Sequence, residues 1–134
     1  MFMLDTNICI FIIKKRYEKV LEKIRRNRNK GLYISSITLA ELEFGIENAG
    51  DEHKARNRVA LMEFLSIFGI KIFDENASKE YGKIRKELKD RNCLIGPLDM
   101  LIGAHAKSMK MTLVTNNVGE FGRIKDLKIA DWTK

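Results

Sequence analysis

Four short apolar runs rich in strand-forming residues, Phe2–Leu4, Leu32–Ser35, Ile70–Phe73 and Thr112–Thr115, alternate along the chain with segments of helical periodicity. A loop or short turn from Asn116 to Gly122 then leads to a fifth run, Leu127–Ala130, expected as an edge strand. Strands that alternate with helices imply βαβ units and a mostly parallel sheet between helical layers, an α/β fold. The helical segments are readable in outline. A helix starts near Ile8 and runs to Lys15, and Tyr17 to Arg26 is amphipathic through Val20, Leu21 and Ile24. Ser36 and Thr38 can cap a helix to about Asn48. Glu52 to Phe68 follows, with Val59, Leu61, Met62, Phe64 and Leu65 expected to face inward. Ala77 to Arg91 has a charged outer face. Pro97 suits the first turn of a helix from Leu98 to Lys110, whose Leu98, Leu101, Ile102 and Met109 are expected to pack inward.

A chain of 134 residues without linker, repeat or low-complexity stretch fits one domain, residues 1–134, large enough to bury a core without covalent staples. Cys9 and Cys93 make no disulfide framework and suit a reducing cytoplasm, the expected location. Neither cysteine pairs with His53 or His105 at a zinc-ligand spacing, so all four read as incidental. The apolar run Ile8–Ile13 has no basic segment ahead of it and is far shorter than the ~20 residues of a spanning helix, so no membrane association is expected.

The formal charge of +7 has a place. Between Lys14 and Lys30 nine Lys and Arg stand against Glu18 and Glu22, while the rest of the chain carries sixteen of each sign. Such a patch is the electrostatic footprint of a polyanion, whose condensed counterions are released when Lys and Arg replace them. It reads equally as a solvated helix face. Arg25, Arg26 and Arg28 are the candidate residues for binding that polyanion, RNA if the chain is a ribonuclease.

The chemistry gathers at strand ends. Phe2-Met3-Leu4 runs directly into Asp5-Thr6-Asn7, and open α/β sheets bind ligands beyond the carboxyl ends of their strands. Turn or N-cap chemistry would also explain the triplet. Glu41 follows the second strand on a stripe with Ile37 and Phe44, although Thr38 and Glu41 also have capping-box spacing. Glu43 and Glu47 form a separate stripe and read as solvated. Asp99 lies in the first turn of its helix, where the helix dipole alone would favour an acid. Gly103 and Ala106 below it leave room for the approach of a ligand or another element. Thr115-Asn116-Asn117 ends the fourth strand as Asp5 ends the first, with Glu120 close behind. Four acids brought together would raise one another's pKa unless a cation neutralised them, and oxygen-only ligands select a hard ion such as Mg²⁺ or Mn²⁺. Joined to a held polyanion, such a site is suited to activating water against a phosphodiester.

The order Met3-Leu4-Asp5-Thr6-Asn7, Ser35-Ser36-Ile37-Thr38-Leu39-Ala40-Glu41-Leu42, Ile95-Gly96-Pro97-Leu98-Asp99-Met100-Leu101-Ile102, and Leu113-Val114-Thr115-Asn116-Asn117 with Glu120-Phe121 closely resembles the PIN-domain ribonucleases. Within them it is similar to the VapC toxins of bacterial toxin–antitoxin pairs. The resemblance spans nearly the whole chain. It implies a Rossmann-like PIN domain built as an α/β/α sandwich, a Mg²⁺- or Mn²⁺-dependent endoribonuclease, a homodimer, and inhibition by a VapB-type antitoxin whose tail occupies the active-site groove. On it Asp5 and Asp99 match the principal metal ligands and Glu41 the adjoining catalytic acid, with Thr6, Asn7, Thr115 and Asn117 in support. Asn117 departs from the family pattern, where many members carry Asp; Glu120 is the candidate to supply the missing carboxylate. The subgroup resembled most cleaves initiator tRNA in the anticodon loop, which makes tRNA the expected RNA substrate. The alternative from another class is a non-catalytic nucleic-acid-binding module, in which the acids are caps and turn residues. A phosphatase is disfavoured, because Asn7 stands where the second Asp of an Asp-x-Asp pair would be.

Overall fold

A computed structural model describes residues 1–134. The chain folds as β1 (Phe2–Leu4), α1 (Thr6–Ile13), α2 (Glu18–Asn27), a 3₁₀ turn (Arg28–Lys30), β2 (Leu32–Ser35), α3 (Ser36–Asn48), α4 (Asp51–Leu65), β3 (Gly69–Lys71), α5 (Glu75–Asp90), α6 (Pro97–Ser108), β4 (Thr112–Val114), α7 (Val118–Phe121) and β5 (Ile129–Ala130). The sheet has the order β3-β2-β1-β4-β5, and every pairing is parallel, not only most of them. No helix is long and apolar enough to cross a membrane.

Strand periodicity divides the core. Leu4, Leu32, Ile34 and Val114 point to one face, where they pack with Ile8, Ile12, Val20, Ile24, Leu42 and Phe64 of the first four helices. Met3 and Leu113 point to the other, against Ile84, Leu88, Ile102 and Phe121. The sandwich follows from right-handed crossovers: β1 to β2 to β3 advances in one direction and places α1–α4 on one face, while β3 to β4 to β5 returns and places α5–α7 on the other. The reversal lies between β1 and β4, where the helices leave to opposite sides and open a crevice at the carboxyl ends.

The apolar run Ile8–Ile13 is explained by α1 lying between the sheet and α3 and α4, so that Ile8, Cys9 and Ile12 are buried and Ile10, Phe11 and Ile13 half-buried. Several expectations need correction. On α4 only Leu61 and Phe64 are buried, whereas Val59 and Met62 are 54% and 64% exposed. Two apolar stripes competed there, and the sheet and α3 can cover only one. Leu98 is 46% exposed at the start of α6. The third strand stops at Lys71, because Phe73 N–H donates to Ser36 Oγ (3.0 Å) instead of a neighbouring strand. Asp74 caps α5 through Ala77 N–H, starting that helix two residues before Ala77. The stretch expected as a loop after β4 contains the single turn α7. Glu43 and Glu47 are not merely solvated: they pair with Arg58 (2.7 Å) and Lys54 (2.9 Å), joining α3 to α4.

Candidate active site

Asp5 follows β1 and is 3% exposed. Its Oδ1 accepts from Ile8 N–H (2.9 Å), which makes it the N-cap of α1, and its Oδ2 accepts from Thr115 Oγ across the crevice. The cap and the active-site readings of Asp5 are therefore compatible, because each takes a different oxygen. Burial pushes its carboxyl above the usual range, opposed by the hydrogen bonds from Thr115 and Ile8. Thr115 is buried after β4 and its hydroxyl oxygen also accepts from Asn117 N–H (3.0 Å).

Glu41 is not in a capping box. The N-cap of α3 is Ser35, whose Oγ accepts from Ile37 N–H (3.0 Å). Glu41, a turn and a half further along, accepts at Oε1 from Thr6 Oγ (2.7 Å), so a residue of α1 orients a carboxylate of α3. Thr38 Oγ lies 3.3 Å from Thr6 Oγ and completes this hydroxyl chain. Asn7 is exposed, and its side chain makes no hydrogen bond within the protein.

Asp99 occupies the third position of α6, behind Pro97, and its Oδ2 folds back to within 3.5 Å of where a Gly96 side chain would begin. Its pKa is pushed up to about 6, first by burial, then by the charges of Glu120, Asp5 and Glu41, and by a hydrogen bond to the Glu120 carboxyl. The acids of four separate segments thus act on one another at one rim of the sheet. Glu120 is held by Asn117 Nδ2 (3.2 Å to Oε2). Asn117 thus reaches the Glu120 carboxyl, and Glu120 in turn acts on Asp99.

No Lys, Arg or His forms an ion pair with Asp5, Glu41, Asp99 or Glu120. The donor set is all oxygen and its negative charge is uncompensated, which fits a hard divalent cation. No three His, Cys, Asp or Glu side chains converge tightly enough to enclose an ion by themselves. A water-rich ion such as Mg²⁺, bound through one or two carboxylates, is the type this rim suits.

Arg25, Arg26 and Arg28 are not brought to the acids. They are exposed at the end of α2 and in the 3₁₀ turn that feeds the amino end of β2, whose Leu32 pairs with Phe2. The acids follow the carboxyl ends, so the two groups sit on opposite rims. Gly103 admits a protein element rather than a ligand: a side chain there would meet Ile124 Cδ1 at 2.6 Å and Phe121 at 3.5 Å. His105, read as incidental, is fully buried with its Nδ1 2.8 Å from Ser35 Oγ. Its spacing from Ile102 and Met109 on one apolar stripe was the available signal.

The PIN domain family pattern matches residues 2–127. The chain is 40% identical over 132 residues to the tRNA(fMet)-specific endonuclease VapC of Shigella flexneri, covering 98% of each. It is 40% identical over 136 residues to the Ribonuclease VapC2 of Rickettsia felis, covering 99% of this chain and 98% of that protein. The crystal structure of VapBC2 from Rickettsia felis bound to a DNA fragment from its promoter superimposes with a TM-score of 0.92 at 37% identity, covering 98% of both chains. With its acids at the switch point of a parallel sheet and relatives of this kind along its length, the chain belongs to the PIN-domain family and, within it, to the VapC toxin ribonucleases.

Proposed function

We propose that this toxin ribonuclease is a Mg²⁺- or Mn²⁺-dependent endoribonuclease whose centre is Asp5, Glu41, Asp99 and Glu120. The observation that carries the reading is the gathering of these four acids at one rim with no protein cation paired to any of them, which together with burial pushes the Asp99 pKa up to about 6. Asp5 and Asp99 would hold the ion, which when bound supplies an activated water and neutralises charge on the phosphate. Thr115 and Ile8 N–H fix the orientation of Asp5. Thr6 occupies Oε1 of Glu41 and leaves Oε2 free to accept the proton of the attacking water. Thr6 and Asn117 act as supports, and Asn7, beside Asp5 and exposed, has its amide free for the substrate.

The RNA is a tRNA, in keeping with the name of the Shigella relative, with its phosphates also held at the basic segment through Arg25, Arg26 and Arg28. An antitoxin of the VapB type fits a groove of 480 Å³ between α1, α3 and α4, floored by Ile10, Ile13, Leu42, Ile46 and Leu61 and ending at Glu41. A homodimer would cover large apolar side chains that are exposed in the single chain, among them Phe44, Met62 and Ile72.

The test is cleavage of tRNA by purified protein with Mn²⁺, with chelator, and with Asp5→Asn. Metal-dependent cutting that Asp5→Asn abolishes while RNA binding persists is the expected result. Cutting that survives both chelator and the substitution would overturn the metal centre, and RNA bound but never cut would favour the non-catalytic module.

A further inference from the structure

His105 presents a local conflict. The side chain is fully buried, and Nε2 has no partner at hydrogen-bond geometry, with the Ile72 backbone as the polar group acting on the ring beside Ser35. The Phe73 ring stands edge-on to the imidazole at 5.4 Å. An apolar side chain would fill this space without an unpaired ring nitrogen, at the cost of the acceptor that the buried Ser35 hydroxyl now has. Such conflicts are expected where function rather than stability selects the residue.

What the ring gains is one bond, 2.8 Å from Nδ1 to Ser35 Oγ. A serine hydroxyl carries one hydrogen, and Ser35 Oγ already accepts from Ile37 N–H. With the ring proton placed on Nε2, that hydroxyl donates to Nδ1. Burial disfavours the imidazolium and keeps the ring in that neutral form.

The bond joins two helices on opposite faces of the sheet. Ser35 caps α3, which carries Thr38 and Glu41 in its next turns. His105 is on α6, which carries Asp99 near its start. Phe73 N–H on Ser36 Oγ ties the exit of β3 to the same corner. We infer that His105 is a positioning residue: through Ser35 it sets the separation of Glu41 and Asp99, and so the shape of the metal-binding rim. The inference rests on the nuclease reading of that rim.

The experiment compares His105→Asn, which can accept from Ser35 Oγ near the Nδ1 position, with His105→Gln, which reaches toward the Nε2 position, and His105→Phe, which does neither. Mn²⁺ binding by electron paramagnetic resonance, melting temperature, and kcat and KM on tRNA are read for each. The expected pattern is Mn²⁺ affinity and kcat reduced about tenfold or more in His105→Phe and His105→Gln, restored to within about threefold in His105→Asn, with KM little changed. His105→Phe is expected to melt no lower than His105→Asn, so that function and stability part company. If all three lose activity in proportion to melting temperature, or if His105→Phe keeps wild-type metal affinity and kcat, the residue only fills the core and the inference fails. Wild-type protein that binds Mn²⁺ but cuts no RNA would overturn the nuclease reading, while the Mn²⁺ data still decide the role of His105.

Discussion

Asp99 shows how a half-buried carboxylate among other acids costs stability. Its folded pKa of about 6 lies above the ordinary 3.8, so between these values the folded state binds more protons than the unfolded chain. Its contribution to stability therefore falls as pH rises from about 4 to 6 and stays unfavourable above that window. A rise of that size corresponds to about 3 kcal/mol at most, and the half-exposed position reduces this to about 1–2 kcal/mol. Asp99→Asn should stabilise the metal-free protein by that amount at pH 7.5 in urea unfolding and by nearly nothing at pH 4, while abolishing cleavage. Equal effects at both pH values would mean that the charge is not the cause. Thr115 works in the opposite sense, because its hydroxyl lowers the pKa of Asp5 and satisfies Oδ2. Thr115→Val should cost about 1–3 kcal/mol by leaving that oxygen and Asn117 N–H without partners. Metal affinity should weaken in the same variant, which a calorimetric Mn²⁺ titration would register.

Glu120 reaches the rim because a single turn of helix, α7, is pressed against α6. Gly103 makes that contact possible, and the space that sequence alone left open to a ligand or another element is filled by Ile124 and Phe121. Gly103→Val should overpack the contact, cost about 1–3 kcal/mol by thermal or urea unfolding, and displace α7. Its kcat should then fall further than that of a comparably destabilised variant at a core position away from the acids, such as Ile24→Ala on α2. The strands were legible beforehand, because the apolar runs end abruptly in polar residues such as Asp5, Ser35 and Thr115, and the order of the acids was legible through the resemblance of four successive motifs to one family. Long-range partners were not. That Glu41 answers to Thr6, and Ser35 to His105, depends on how α1, α3 and α6 pack, at separations of 35 and 70 residues. The inner face of α4 was illegible for a related reason: Val59, Leu61, Met62 and Phe64 supply two stripes, and only the placement of α3 and the sheet selects Leu61 and Phe64.

The whole molecule separates its charges. Acids occupy the carboxyl rim of the sheet, and the basic segment from Lys14 to Lys30 begins after α1 and ends at the amino rim, its nine cations free of intramolecular ion pairs. A three-residue strand alone separates the rims by roughly 10 Å. An RNA confined to the acids therefore need not touch Arg25, Arg26 or Arg28, whereas a folded RNA wrapping the domain can reach both. Replacing the three arginines with Gln should remove up to three phosphate contacts. In an Asp5→Asn background, which prevents cutting, the slope of log affinity against log salt should become shallower by about 2, near 0.7 for each single-strand contact. For the otherwise wild-type enzyme KM for an intact tRNA should rise several-fold, while kcat on a short single-stranded oligonucleotide stays unchanged. An unaltered salt slope on the intact tRNA would remove RNA from this surface. A loss of kcat on the oligonucleotide would instead mean that the segment communicates with the acids through α1, whose N-cap is Asp5 itself.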